Sequence, residues 1–110
     1  MTVIKQIDVG DLQALRQAGA PLYLVDVRQP WEHETAALPG SVLVPLDELF
    51  ERAAEIAPPA GATVVVYCHH GVRSLSGAAI LAELGHREVV SLRGGIDAWS
   101  RLIDREIPRY

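Results

Sequence analysis

The sequence has 110 residues, 49% of them hydrophobic and 22% charged, with a net charge of −4 and a single cysteine. That length supports a core without disulfides or metal, and the composition is that of one soluble globular domain over residues 1–110. The acidic balance and the lack of any basic run exclude nucleic acid and acidic membrane surfaces as expected partners. No window approaches a membrane span, and one cysteine permits no internal disulfide. Met1-Thr-Val-Ile-Lys-Gln contains no basic segment leading into a long apolar stretch, so a cytoplasmic, reducing location is expected.

Taken in chain order, Thr2 to Ile4 is expected as a short edge strand. Asp8 followed by Asp11 has the form of a capping box. It opens a helix with Val9, Leu12, Leu15 and Ala18 on one face and Gly19 at its end. Leu22 to Arg28 reads as an apolar strand ending in the ion-capable Asp26-Val27-Arg28. Gln29 to Glu34 carries Pro30 at a helix entrance and predicts a short helix. Leu38-Pro39-Gly40-Ser41 is turn chemistry, and Val42 to Val44 is a brief strand. Pro45-Leu46-Asp47 opens a predicted helix with Leu46, Leu49, Phe50, Ala53 and Ile56 on one side, broken by Pro58-Pro59. Arg87 to Leu92 gives another strand. Gly94-Gly95 then leads into a last helix with Ile96, Trp99 and Leu102 turned inward. Trp31 and Trp99 are expected to pack at the rim or in the core.

Between these lies the stretch around which the chain is organised. Thr63 to Tyr67 is β-branched or aromatic and uncharged, the pattern of a strand buried on both faces. It stops at Cys68. Arg73 and Ser74, an N-cap type, follow, and Leu75 to Leu84 is a largely apolar helix closed by Gly85. A thiol therefore sits where a strand ends, in a tight loop entering a helix N-terminus. Unpaired N–H groups, the helix dipole and the Arg73 cation all favour an anion there, and such surroundings favour thiolate over thiol. His69 and His70 can add positive charge but are not required. With no further ligands at suitable spacing, no metal site and no cofactor are expected.

The alternation of strands and helices predicts an open α/β fold: a mostly parallel sheet of about five strands with helices on both faces. Ligands of such sheets bind beyond the carboxyl ends of the strands, which brings Cys68 and the Asp26-Val27-Arg28 triplet to one rim. Asp26 is expected to accept N–H groups of the Cys68 loop and Arg28 to pair with Glu32 or Glu34, with a purely structural ion pair as the equally weighted alternative for the triplet.

These residues resemble the rhodanese (sulfurtransferase) domain over nearly the whole chain. The resemblance is carried by Leu24-Val-Asp26-Val-Arg28-Gln-Pro30-Trp31-Glu32, by Leu38-Pro39-Gly40-Ser41 and by Val44-Pro45-Leu46. It continues through Tyr67-Cys68-His-His-Gly71-Val-Arg73-Ser74, Leu84-Gly85, Leu92-Arg-Gly94-Gly95-Ile96 and Trp99. It implies that Cys68 is the catalytic nucleophile. His69, His70, Gly71, Val72 and Arg73 would form the substrate-cradling loop, with Asp26, Arg28 and Ser74 in support. The implied reaction takes sulfur from thiosulfate or a similar small anionic donor onto a Cys68 persulfide. A thiol, cyanide or a sulfur-accepting protein then removes it. Ala36-Ala37 stands where many members carry Gly-His, which removes any accessory histidine from that position.

Two other readings compete. Phosphatases of the same fold also use a cysteine and an arginine, but their pattern has one more residue between them. The six residues from Cys68 to Arg73 resemble the shorter, sulfur-handling length. A non-catalytic docking or sulfur-relay module is the other reading, and the complete Cys68–Arg73 loop argues against pure docking.

Overall fold

A computed structural model describes residues 3–110. Five strands form one sheet: β1 (Lys5–Ile7), β2 (Leu22–Asp26), β3 (Val42–Leu43), β4 (Thr63–Tyr67) and β5 (Val89–Leu92). Their order is β1-β5-β4-β2-β3, and every pairing is parallel. The expected open α/β sheet is therefore present, and wholly parallel among the described residues. Four helices accompany it: α1 (Val9–Gln17), α2 (Pro30–Thr35), α3 (Arg73–Glu83) and α4 (Gly95–Leu102).

The period-two alternation of β4 divides the core. Val65 and Tyr67 face a cluster with Leu12 of α1 and Ile96 and Trp99 of α4. Val64, Val66 and then Cys68 face a second cluster with Ala78 and Leu81 of α3 and with Leu49 and Ile56. Because all strands run the same way, the ends of β2, β4 and β5 open on one rim. Among the described residues no helix is long and apolar enough to cross a membrane.

Local chemistry sets the element starts. Asp8 and Asp11 form the reciprocal capping box of α1, each carboxylate accepting the other's backbone N–H at 2.8 and 3.0 Å. Pro30 occupies the first turn of α2, and the backbone bonds that close α3 run through Gly85 and His86.

Three expectations need correction. The first strand is Lys5–Ile7 and not Thr2–Ile4: Thr2 lies outside the described residues, and Val3 and Ile4 have no regular structure. Pairing with β5 sets this, since Ile7 aligns with Leu92 and is buried. The predicted helix over Leu46–Ile56 is instead two short 3-10 turns, Leu46–Glu48 and Ala53–Glu55, with Phe50 exposed. The Leu46 N–H is spent on the Val27 carbonyl at 3.0 Å, tying this segment to the end of β2. Leu49 and Ile56 still reach the core, so tertiary packing overrides the periodicity. Leu102 also points outward, because the chain turns back after α4 and buries Ile107 there instead.

Candidate active site

The Cys68 side chain lies at the carboxyl end of β4, 1% exposed, on the floor of the loop from His69 to Val72. Its Sγ accepts the backbone N–H groups of Gly71 at 3.1 Å and Ser74 at 3.3 Å. The Ser74 hydroxyl lies 3.5 Å from Sγ and 2.8 Å from the Ser91 hydroxyl. A hydroxyl can turn, accepting from a thiol or donating to a thiolate. Two N–H groups and one rotatable O–H thus converge on sulfur. Ser74 was expected as the N-cap of α3. Val72 holds that position, and Ser74 lies inside the first turn, fully buried, where its hydroxyl serves the sulfur instead.

Glycine at two positions makes this loop possible. Gly71 has φ +101°, and a Cβ there would meet the Gly94 nitrogen at 3.0 Å. Gly95 has φ +61°, and a Cβ there would lie 2.5 Å from the Cys68 carbonyl oxygen and closer still to that of His69. The close approach serves the loop. The Ile96 and Asp97 N–H groups at the start of α4 reach those two carbonyls at 2.9 and 3.1 Å. The N-terminus of α4 therefore pins the loop from behind while that of α3 faces the sulfur.

Arg73 is not a lone cation. Its Nη1 and Nη2 donate to Glu32 Oε1 and Oε2 at 2.7 and 3.0 Å, and its side chain remains 36% exposed. Glu32 itself is buried, and it also accepts the Gln29 N–H at 3.1 Å and the Tyr110 hydroxyl at 2.7 Å. The Arg73 hydrogen bond, against the cost of burial, holds the Glu32 carboxyl down at about 2. The same pairing raises Arg73, and the negative charge of a Cys68 thiolate adds to the effect.

That depression predicts an acid lability with a definite sign. Between its ordinary value of 4.5 and about 2, Glu32 binds protons in the unfolded chain but not in the folded one. The stability it contributes is complete above that range and is lost as pH falls through it. The size is roughly 3 kcal/mol. In urea unfolding, the stability advantage of wild type over Glu32→Gln should shrink by about that amount between about pH 7 and pH 2. An advantage that did not change with pH would contradict the pairing.

Asp26 and Arg28 form a fully buried ion pair beneath the rim. Arg28 Nε and Nη2 donate to Asp26 Oδ1 and Oδ2 at 2.8 and 2.7 Å, and the Arg28 backbone N–H adds a third bond at 3.0 Å. His33 Nδ1 also reaches Asp26 Oδ2, at 2.8 Å. Asp26 is thus occupied by its own turn and by α2, and does not hold the Cys68 loop as expected. Arg28 touches Glu32 only through its backbone carbonyl, at 3.4 Å, because the Glu32 carboxylate is committed to Arg73. The remaining Arg28 donors serve the Ala36 carbonyl and the Tyr110 hydroxyl, both at 2.6 Å. Burial alone would lower Arg28, but the hydrogen bonds of Asp26 and Tyr110 outweigh it and the guanidinium is raised.

The other side of the mouth is a stack. His69 lies face to face with His70 at 3.9 Å between centroids and with Tyr110 at 4.0 Å. Burial, and then the neighbouring His70, lower the His69 imidazole, which favours its neutral form. His70 is largely exposed, with Nε2 3.9 Å from Asp97 Oδ2. His69, His70 and Asp97 each place a potential ligand atom within 4.8 Å of the others. Stacked rings send their nitrogens along near-parallel lines, however, and Asp97 is already paired with Arg109 at 3.0 Å and Arg101 at 3.6 Å. The cluster is a rim in which Asp97 is committed to its two arginines.

The structure thus gathers Cys68, His69, His70, Gly71, Val72, Arg73 and Ser74 at one mouth and puts Asp26 and Arg28 below it. Glu32, Ser91, Gly95 and Tyr110 belong to the same assembly and were not singled out from the sequence for these roles. Trp31 is at the rim, 60% exposed and edge-on to Tyr110, while Trp99 is in the core.

Comparison with known proteins shows the family and the fold. The family profile described as Rhodanese-like domain matches residues 8–102. The thiosulfate sulfurtransferase GlpE of Pseudomonas syringae pv. syringae is 38% identical over 108 residues, covering 96% of each chain. A sulfurtransferase of Allochromatium vinosum is 34% identical over 99 residues, covering 90% of this chain and 91% of its own. A rhodanese-like domain protein from Staphylococcus aureus superposes with a TM-score of 0.80 at 24% identity, over 97% of this chain and 99% of that one, a likeness of fold.

Proposed function

The chain belongs to the Rhodanese-like domain family, and from that premise we propose that it is a sulfurtransferase working through a Cys68 persulfide. The donor in this reading is thiosulfate or a similar small anion carrying a sulfane sulfur, and the acceptor is cyanide or a cellular thiol. The observation that carries it is the convergence of the Gly71 and Ser74 N–H groups on the sulfur of the chain's one cysteine.

The thiol first releases its proton to solvent. The Cys68 thiolate then attacks the outer sulfur of the donor. A new S–S bond forms as the donor's own S–S bond breaks, and sulfite leaves with the bonding pair. Sulfite is a stable anion and needs no general acid. The persulfide charge moves to the terminal sulfur, one bond beyond the Sγ that the Gly71 and Ser74 N–H groups hold. The acceptor then attacks that sulfur and the electron pair returns to Cys68. The two halves balance without an outside oxidant or reductant. Arg73 keeps N–H groups beyond those given to Glu32 for the oxyanion end of the donor. The near-complete burial of Cys68 suits small or slender reagents entering through the mouth.

The test is direct. Wild-type protein incubated with thiosulfate and freed of excess donor should gain one sulfur atom by intact mass, and cyanide should discharge it as thiocyanate. An unmodified protein whose thiol remains titratable would sink the reading. The loop's dependence on α4 gives a second expectation. Gly95→Ala forces the Cys68 and His69 carbonyls aside and should lower the transfer rate on the order of 100-fold, with the circular dichroism of the fold retained. A rate within twofold of wild type would show that the loop tolerates the displacement.

A further inference from the structure

Tyr110 enters the mouth from the segment after α4. Several contacts hold that segment in place. The Ser100 hydroxyl donates to the Ile107 carbonyl, Ile107 is buried, and Arg109 pairs with Asp97 at 3.0 Å. The Tyr110 side chain then touches both walls at once. Its hydroxyl donates to Glu32 Oε2 at 2.7 Å and accepts from Arg28 Nη1 at 2.6 Å. Its ring lies nearly parallel to His69, at an interplanar angle of 7°. Burial pushes the phenol up to about 12, so the O–H donor persists at neutral pH.

The consequence runs through Glu32. Each of its oxygens takes one bond from Arg73 and one from elsewhere: the Gln29 N–H on Oε1 and the Tyr110 hydroxyl on Oε2. Those two outer bonds fix the carboxylate plane, and the bidentate pairing passes that plane to the guanidinium. Arg73 is long, partly exposed and rich in rotamers, so a free side chain would have to be ordered at each binding event. A small anion makes few contacts with which to offset that ordering. Arg28, anchored on Asp26, holds the phenol oxygen from below, making the chain Asp26–Arg28–Tyr110–Glu32–Arg73 continuous from the buried pair to the mouth.

Resting on the sulfur-transfer reading, we propose that Tyr110 is a positioning residue for the donor: by fixing Glu32 it holds Arg73 in the orientation that binds the oxyanion end of thiosulfate-like substrates. It acts on the first half-reaction and not on the second, since an attacking cyanide or thiol presents no oxyanion fork to Arg73.

Tyr110→Phe removes the hydroxyl and leaves the stack on His69. With thiosulfate and cyanide, the variant should show a KM for thiosulfate raised roughly three- to tenfold, the effect of one lost hydrogen bond. The KM for cyanide and the kcat at saturating donor should stay within twofold. A neutral organic trisulfide used as donor should show no change. In an Arg73→Lys background the substitution should add nothing, because the route through Arg73 is already broken. Sulfite titrated calorimetrically into Cys68→Ser protein, with and without Tyr110→Phe, reads the same orientation without turnover and should weaken by the same factor. An unchanged thiosulfate KM, equal losses for both substrates, additivity with Arg73→Lys, or sulfite binding that is absent or indifferent to Tyr110 would each overturn the assignment. Wild-type protein that takes up no sulfur would refute the sulfur-transfer reading, and the sulfite titration would still decide the role of Tyr110.

Discussion

Cys68→Ser is expected to abolish sulfur uptake from thiosulfate and the release of thiocyanate, with the fold retained. The serine hydroxyl is a far weaker nucleophile near neutral pH, and the structure offers it no adjacent base. Its side-chain hydrogen-bond partner among the described residues is the Ser74 hydroxyl, itself paired with Ser91. Cys68 lines the second core cluster, but serine differs from it only by oxygen in place of sulfur, so little packing is lost. Oxygen at this site keeps the Gly71 and Ser74 N–H groups supplied with an acceptor. The stability change should therefore stay within about 1 kcal/mol, the net scale of a hydrogen bond. Thiocyanate formation and intact mass measure the chemistry, and urea unfolding checks the fold. Turnover equal to wild type would remove Cys68 from the mechanism. Inactivity of both proteins, with partner capture indifferent to the substitution, would favour a docking module.

The parts of this molecule legible in the sequence are those fixed by local pattern. The β-branched run before Cys68, the Asp8–Asp11 box and the closing Gly85 each act over a few residues, and each is found where expected. The Cys68 loop was legible too, because strand end, loop and helix start are contiguous. The Leu46–Ile56 stretch failed because its two buried anchors, Leu49 and Ile56, are satisfied by 3-10 turns as well as by a helix, and periodicity does not tell the two apart. The Glu32–Arg73 pair spans 41 positions and the Tyr110–Glu32 bond 78. No periodicity reports such distances, and Arg73 read alone looks like a free cation. Gly95 looked like a helix entrance. Its closeness to the Cys68 and His69 carbonyls depends on β4 and β5 being neighbours in the sheet.

Arg28→Met is expected to be the most destabilising single change at the site. Methionine reproduces the apolar stem of arginine but ends before the guanidinium, so a small void adds to a loss that is mainly electrostatic. The substitution leaves the Asp26 carboxylate fully buried, with only His33 Nδ1 and the backbone N–H of residue 28 as donors. It also strips the Ala36 carbonyl and the Tyr110 hydroxyl of a donor. Breaking a buried ion pair from one side costs roughly 3–5 kcal/mol. A domain of this size has about 5–15 kcal/mol in all, so the midpoint of thermal unfolding should fall on the order of 15 °C. The double substitution Asp26→Asn with Arg28→Met removes the stranded charge. It should recover part of the loss, because the penalty in the single variant comes mainly from the uncompensated carboxylate and not from the pair's own worth. Urea titration of the two single variants and the double variant measures this coupling. Strict additivity, or an Arg28→Met loss below about 1 kcal/mol, would mean that water reaches Asp26 and that the pair does not behave as buried. The same substitution cuts the chain of contacts from Asp26 to Arg73. A stable Arg28→Met protein should therefore also bind sulfite less tightly than wild type, through the displacement of Tyr110.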